Sequence, residues 1–333
     1  MLRTALIGVL AAMPAAAIAQ DAAPAAPATT ALHCERLFDA RAGRVLGPHT
    51  VVVREGRIAE VLQGRANVPG AATIDLAGHT CSPGWTDLHV HLDGESSPDS
   101  YSEGFRLDPV DFAFRSVGYA RKTLEAGFTT VVDLGAANEA IFALREAVRR
   151  GDVAGPNIIA SGSSVSVHGG HGDINGYRDD IMHLLSPESV CSGPEDCRRA
   201  VRLQVRAGAD IIKITATGGV LSNTAAGLAQ QFTQDELASI VEVAHRMGRQ
   251  VTAHAHGADG INAFLAAGGD SIEHGTYLDD DSIRLFRQHD AIQLARINVF
   301  PVSRWIHVEA AGRGQLQKTE VRARLAEIRH QLK

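Results

Sequence analysis

The segment QVTAHAHGADGINAFLAAGGDSIEH, residues 250–274, contains one complete strand–helix–strand unit. Residues 250–255 and 270–274 are short apolar runs of strand length, and residues 258–267 between them have a helical pattern. Units of this kind build parallel sheets, because the helix returns the chain to the starting edge of the sheet. This segment therefore predicts an α/β fold.

The same alternation extends in both directions from this segment, beginning at Gly84. The predicted strands are residues 85–91, 129–134, 157–161, 210–215, 250–255, 270–274 and 291–294. The predicted helices are residues 111–126, 137–150, 194–207, 233–248, 258–267 and 279–289. The helix near Thr233 has a capping box, since Glu236 follows three residues later. About seven such repeats favour a (β/α)8 TIM-like barrel over an open sheet.

Two regions differ from this alternation. Residues 31–83 read as short strands separated by turns, such as the one at Glu55-Gly56, and predict a small N-terminal β-sandwich portion. Residues 162–193 form a connection longer than usual and rich in Gly, His and Asp, which is typical of a functional loop. We therefore divide the chain after residue 83 and assign 84–333 to the barrel.

The N-terminus reads as a targeting segment. Residues 1–19 have one Arg, an apolar run and an A-x-A cleavage pattern ending at Ala19, which is typical of a secretory signal peptide and too short to span a membrane. Residues 20–30 are rich in Ala and Pro and predict a flexible linker. We expect a periplasmic or secreted mature protein.

Composition excludes several classes of protein. The 333 residues are 45% hydrophobic and 21% charged, values of a globular chain rather than of a disordered or fibrous one. The net charge is −6, whereas a nucleic-acid-binding protein typically carries a basic patch or a positive net charge. We therefore expect no nucleic-acid partner and no membrane span. A small-molecule or dipeptide substrate is compatible with this composition, and so is a homo-oligomer.

The cysteines suit an oxidising compartment. Cys191 and Cys197 bracket the short Gly/Pro loop CSGPEDC, and a local disulfide is preferred over a zinc knuckle because no second ligand pair lies nearby. Cys34 and Cys81 are compatible with free buried thiols or with a second bridge.

Histidines and one lysine fall at the ends of the predicted strands. His89 and His91 end the first barrel strand, and residues two apart on a strand share a face. Lys213 lies near the end of the fourth strand, and three further histidines end the next two strands, namely His254, His256 and His274. Each alone is compatible with a core histidine or a lysine that reaches solvent. Together, at the face where barrel enzymes keep their active sites, they indicate a catalytic metal centre.

The chain resembles the amidohydrolase superfamily, in particular its exported metal-dependent dipeptidase or Xaa-Pro (or Xaa-Arg/Lys) carboxypeptidase-like branch, which is related to imidazolonepropionase-like and ochratoxin-hydrolysing enzymes. The resemblance spans residues 31 to about 300. The motifs that support it are REGRIAEV, IDLAGHTCSPGWTDLHVHL, GFTTVVDLG, GGHGD, ADIIKITATGGVLS, VTAHAHGADGI and AGGDSIEHGTYLDD.

The resemblance implies a role for each of these residues. His89 and His91 would bind a first divalent metal ion, and His254 and His274 a second, with zinc as the expected metal. Lys213, carbamylated by CO2, would bridge the two ions. A metal-bridging hydroxide would attack an amide carbon of a dipeptide or N-acyl amino acid.

The resemblance also implies substrate contacts. His171 of the GGHGD loop and His256 are the first candidates, and His168 and Tyr177 of the same loop are the next.

One family feature is not found. The superfamily supplies an Asp at the end of the eighth barrel strand as a ligand and proton shuttle, and no acid after His274 follows a suitable apolar strand. Those acids are Asp279, Asp280, Asp281, Asp290, Glu309, Glu320 and Glu327. The expectation is therefore a barrel without its eighth strand, either a C-terminally truncated fragment or a degenerate relative.

Two other functions are compatible with the sequence. A mononuclear imidazolonepropionase- or deaminase-type cyclic amide hydrolase would keep the fold but give Lys213 no bridging role. A non-catalytic relative would bind metal without turnover.

Overall fold

A computed structural model describes residues 29–95, 97–219, 227–299 and 302–308. The described strands are β1 (Thr29–Asp39), β2 (Arg44–Leu46), β3 (His49–Arg54), β4 (Arg57–Gln63), β5 (Ala72–Cys81), β6 (Trp85–Val90), β7 (Phe128–Asp133), β8 (Asn157–Ala160), β9 (Ser166–Val167), β10 (Val190–Cys191), β11 (Ile212–Thr215), β12 (Val251–Ala255), β13 (Ser271–His274), β14 (Ile292–Val299) and β15 (Val302–Val308). The described helices are α1 (Ser100–Glu103), α2 (Pro109–Glu125), α3 (Asn138–Arg150), α4 (Asp179–Leu185), α5 (Pro194–Ala207), α6 (Gln234–Arg246), α7 (Ala258–Ala266) and α8 (Asp280–His289).

The chain divides into two compact units, the first ending at Pro83 and the second beginning at Gly84. In the first unit β1 is central: it pairs antiparallel with β2 and β3 and parallel with β5, while β4 extends the sheet beyond β3. The β3–β4 turn has positive φ at both Glu55 and Gly56, the conformation that matches the twist of a hairpin. The predicted small β domain is therefore a mixed sheet.

The predicted linker needs one correction. Thr29 and Thr30 were assigned to it, but they begin β1, where Thr30 pairs with Val53 of β3 and Ala72 of β5. Thr29 pairs with Arg54 of β3 alone, and these backbone partners explain why both residues belong to the strand. The predicted signal peptide, residues 1–19, lies outside the described residues.

Both pairs of cysteines are bridged. Cys191 and Cys197 form the expected local disulfide, with Cα atoms 5.1 Å apart. Cys34 and Cys81 also form a disulfide, which decides between the two alternatives left open above. This second bridge joins β1 to β5, two strands that already pair in parallel.

The second unit is built from parallel strands in chain order. β6, β7 and β8 form one sheet, and β11, β12, β13 and β14 follow one another in a second. A parallel bridge between Val165 and Ile214 connects the segment after β8 to β11. In the part of the chain that is described, seven strands therefore run in the same direction and bring their C-terminal ends to one face.

The helices cover these sheets with apolar faces. Buried side chains of α6, such as Leu237 and Ile240, and of α7, such as Ile261 and Phe264, belong to one continuous core with the strands. The predicted capping box starts α6: Thr233 caps the helix, and Glu236 accepts from the Thr233 backbone N–H.

The end of the described chain differs from expectation. The last predicted strand was limited to residues 291–294, but β14 continues to Val299 and pairs antiparallel with β15. The strand next to β14 is therefore the second arm of a hairpin, since an antiparallel partner needs only a short connection whereas a parallel one needs a crossover.

No described helix has both the length and the apolar character needed to cross a lipid bilayer.

Candidate metal centre

The first pair of candidate ligands lies at the end of β6. His89 and His91 direct their Nε2 atoms at each other across 3.3 Å. The opposite ring nitrogens face acceptors: His89 Nδ1 lies 2.7 Å from a Glu273 carboxylate oxygen, and His91 Nδ1 lies 2.7 Å from the Gly135 carbonyl oxygen. Because an acceptor requires a proton on each Nδ1, the lone pairs of both Nε2 atoms point into the same space.

This arrangement fits a cation. Two nitrogens bound tetrahedrally to one zinc ion at about 2.0–2.1 Å lie about 3.3–3.4 Å apart, and the observed separation is 3.3 Å. Metal-binding histidines typically donate the other ring N–H to a carboxylate or carbonyl. His89 and His91 therefore have the chemistry and spacing of ligands to one metal ion.

Three more histidines converge from β12 and β13. The ligand atoms of His254, His256 and His274 all lie within 4.8 Å of one another. The His254 and His274 rings are 4.7 Å apart between centroids, and His274 lies 5.3 Å from the His89 ring. The end of β6, with His89, therefore lies next to the ends of β12 and β13, with His254 and His274. His256 lies beside this second pair of histidines.

Burial favours the neutral form of two of these histidines. It is the largest cause that lowers the pKa of His254, and repulsion from neighbouring groups, Lys213 among them, lowers this pKa further. Burial also lowers the pKa of His256. Neutral imidazole is the form that binds a metal, so the electrostatics favour ligation.

Lys213 lies within β11, and its side chain is buried. Its charge acts on the histidines, because it contributes to the lowered pKa of both His171 and His254. The predicted bridging residue is therefore buried at the histidine cluster instead of extending to the rim.

The long loop contributes one histidine to the cluster. The His171 ring stacks on His254, with centroids 4.2 Å apart. Gly219 makes room for this contact, since a Cβ at this position would lie 2.7 Å from His254 Nε2 and 2.9 Å from His171 Cε1. The loop thus places His171 beside a candidate ligand.

The other two loop candidates have different partners. His168 Nδ1 lies 2.9 Å from the Ser192 hydroxyl, beside the Cys191–Cys197 disulfide. The Tyr177 ring packs edge-to-face against Phe105 at 4.9 Å. Of the four predicted substrate contacts, His171 and His256 therefore have ring contacts with the candidate ligands. His168 and Tyr177 instead contact Ser192 and Phe105.

Sequence reasoning missed two buried acids that order the site. Asp133, at the end of β7, accepts the backbone N–H groups of Leu92 and Gly135, and burial raises its pKa to about 7. Glu273 accepts from His89. Both are charged residues inside or at the end of apolar strands, and that is the signal that could have identified them.

The described acids among those listed after His274 lie at the two ends of α8. Asp279 caps α8 by accepting the Ser282 N–H, and Asp280 and Asp281 occupy its first turn, as predicted. Asp290 ends the same helix in a left-handed conformation. Glu309, Glu320 and Glu327 lie outside the described residues.

The pKa of His171 gives a testable pH dependence. Burial is the largest cause and the charge of Lys213 the next, and they lower this pKa to about 4. The pKa of an unfolded histidine is about 6.5. The folded state thus keeps His171 neutral while the unfolded state gains a proton, so stability is lost as the pH falls from about 6.5 towards about 4. We expect urea midpoints of the metal-free protein to fall less steeply over this range in His171→Asn than in wild type. Parallel slopes would contradict this assignment.

The sequence is similar to that of known amide hydrolases and matches the model of one protein family. A model of the "Amidohydrolase family" matches residues 80–297. Ochratoxinase from Aspergillus niger is 33% identical over 234 residues, which cover 66% of this chain and 48% of that protein. The chain thus spans about half the length of this curated relative.

Solved structures agree in fold. A Xaa-Pro dipeptidase with bound methionine in its active site superposes with a TM-score of 0.74 and 33% identity, covering 80% of this chain and 66% of that one. A prolidase complexed with N-methylphosphonate-L-proline gives a TM-score of 0.68 at 32% identity, covering 80% of this chain and 65% of that one. These similarities indicate a TIM-barrel-like α/β fold with an N-terminal sheet domain.

Proposed function

Because the chain belongs to the amidohydrolase family, we propose that its histidine cluster is the active site of a metal-dependent hydrolase of amide C–N bonds. The observation that carries this proposal is the pair of Nε2 atoms of His89 and His91, 3.3 Å apart, each backed by an acceptor on Nδ1. Imidazoles whose second ring nitrogen faces a carboxylate or carbonyl acceptor in this way are typical of metal ligands.

The residues suit two cations. His89 and His91 would hold the first, His254 and His274 the second, and Lys213 would join them after its neutral amine adds to CO2 and releases a proton. When bound, two divalent cations would polarise the amide carbonyl and lower the pKa of a water molecule. Zinc is the metal proposed, since imidazole is among its preferred ligands.

The chain itself would orient the substrate. His171 stacks on His254, and the His256 ring is held by a 2.8 Å contact from its Nδ1 to the Thr276 hydroxyl. Both are half-buried beside the candidate ligands, while His91 is exposed. We propose that substrate enters from the exposed side and meets His171 and His256.

Dipeptides or N-acyl amino acids are the proposed substrates. Support comes from the names of the similar proteins, which include an ochratoxinase, a Xaa-Pro dipeptidase and a prolidase. Export to the periplasm or the outside of the cell is proposed as well. The predicted signal peptide supports it, and so do the two disulfides, because such bridges persist in oxidising compartments.

A mononuclear cyclic amide hydrolase is the second candidate. The observation that favours it is the compact triad of His254, His256 and His274, which could hold one ion without Lys213. The two candidates differ in metal content, two ions against one.

Metal removal tests the proposal. We expect elemental analysis to find two zinc ions per chain and a chelator to lower kcat/KM by roughly a thousandfold or more, since metal-ion catalysis supplies several kcal/mol. The compounds to be assayed are Xaa-Pro dipeptides and N-acetyl amino acids. Zinc should restore activity, whereas magnesium, which prefers oxygen ligands, should not. Full activity with one ion would favour the second candidate. Activity unchanged after removal would refute both, and bound metal without turnover would indicate a non-catalytic relative.

A further inference from the structure

Glu273 is a wholly buried carboxylate in the strand that ends at His274. One oxygen lies 2.7 Å from His89 Nδ1, and the other accepts the Thr252 hydroxyl at 2.9 Å. Keeping a carboxylate away from water is costly unless hydrogen bonds compensate it, and both oxygens have such a bond here.

The bond from Glu273 to His89 connects two different sheets. His89 lies on β6, in the β6–β7–β8 sheet, and Glu273 on β13, in the sheet of β11 to β15. The two residues are 184 positions apart in the chain. This hydrogen bond therefore fixes the first candidate ligand relative to the strands that provide His254 and His274.

The backbone departs from regular strand geometry at His274, the residue after Glu273. Successive side chains of a strand point to opposite faces, yet Glu273 hydrogen-bonds the His89 ring while His274 lies 5.3 Å from it between centroids. His274 has a φ of +74°, a left-handed conformation that is costly for a residue with a Cβ. The surrounding structure holds this strained residue, so both neighbours reach the same ring.

We propose that Glu273 is a positioning residue that sets the tautomer and the orientation of His89 for metal binding. An ionised carboxylate accepts and does not donate, so it selects the proton on Nδ1 and leaves the Nε2 lone pair facing His91 Nε2, 3.3 Å away. The inference rests on the proposed function in that it takes His89 as a ligand.

The variant Glu273→Gln tests this role through metal affinity. An amide is a weaker acceptor, and its NH2 group can face His89 and favour the opposite tautomer. We expect the dissociation constant of the ion at His89 to rise 10- to 100-fold, the range typical of outer hydrogen-bond partners of metal ligands, measured by competition with a chromophoric chelator.

Glu236→Gln is the matched control. Glu236 is also buried and also bonds through both oxygens, to the backbone N–H groups of Gly193 and Thr233. Its loss should lower the thermal midpoint and leave metal affinity unchanged. Equal affinities in Glu273→Gln and wild type would overturn the positioning role.

A second measurement needs no metal and does not use the Glu273 variant. In the metal-free wild type, 15N spectra of histidine-labelled protein should show His89 with its proton on Nδ1, assigned by the signal lost in His89→Gln. A proton on Nε2 instead would overturn the inference. If the wild type holds His89 in the Nδ1–H tautomer but binds no zinc, the proposed function fails while the orientation by Glu273 is supported. If it binds two ions that Glu273→Gln retains unchanged, the proposed function survives and the inference does not.

Discussion

Lys213→Met is expected to leave less than one metal ion per chain and to lower kcat/KM by roughly a thousandfold, because it removes the amine whose carbamate is proposed to join the two ions. Methionine has nearly the length of lysine and is apolar. It should therefore fill the same buried space beside β11 without opening a cavity. Elemental analysis, kinetics and far-UV circular dichroism of the purified variant measure metal, activity and fold separately.

The contrast with an ordinary lysine makes this result specific. Lys122 lies on the exposed face of α2, with its Nζ 5.3 Å from the Tyr119 ring centroid. Lys122→Met removes the same charge at the surface and should keep two ions and full activity. Two ions retained in Lys213→Met would refute the bridging role of Lys213. A circular dichroism spectrum of an unfolded chain would show instead that the lysine is needed for the fold of β11.

The second large effect is expected for His254→Asn. This substitution removes the imidazole at the centre of the ring contacts, since His254 faces His171, His256 and His274. We expect one of the two ions to be lost and kcat/KM to fall by roughly a thousandfold, because one ion alone cannot provide the joint activation of water and carbonyl. The ion at His89 and His91 should remain, so the stoichiometry should be one.

His245→Asn is the control for this second effect. His245 is an exposed histidine at the end of α6 whose Nε2 lies 2.8 Å from an Asp270 carboxylate oxygen. A surface pair of this kind is worth at most about 1 kcal/mol, so the variant should keep its metal and its activity. Loss of both ions in His254→Asn would refute two separable sites, and loss of neither would remove His254 from the ligand set.

Much of the fold follows from local patterns in the sequence. The βα alternation after Gly84, the capping box at Thr233 and the Glu55-Gly56 turn were each predicted from neighbouring residues, and each is present. Local signals are reliable here because strand and helix periods and cap preferences depend on residues within one or two turns. The antiparallel course of β15 was not predicted, since strand direction depends on which connection the chain can make.

The candidate site divides along the same line. Residue order alone predicts that histidines lie at the ends of several parallel strands, and parallel strands must bring those ends to one face. The pairing of particular groups follows only from the folded chain: Glu273 with His89 and His171 with His254 at this face, and Cys34 with Cys81 in the first unit. These contacts join residues 184, 83 and 47 positions apart. No local period specifies such partners, because strand order, loop path and the need to pair buried polar groups select them together.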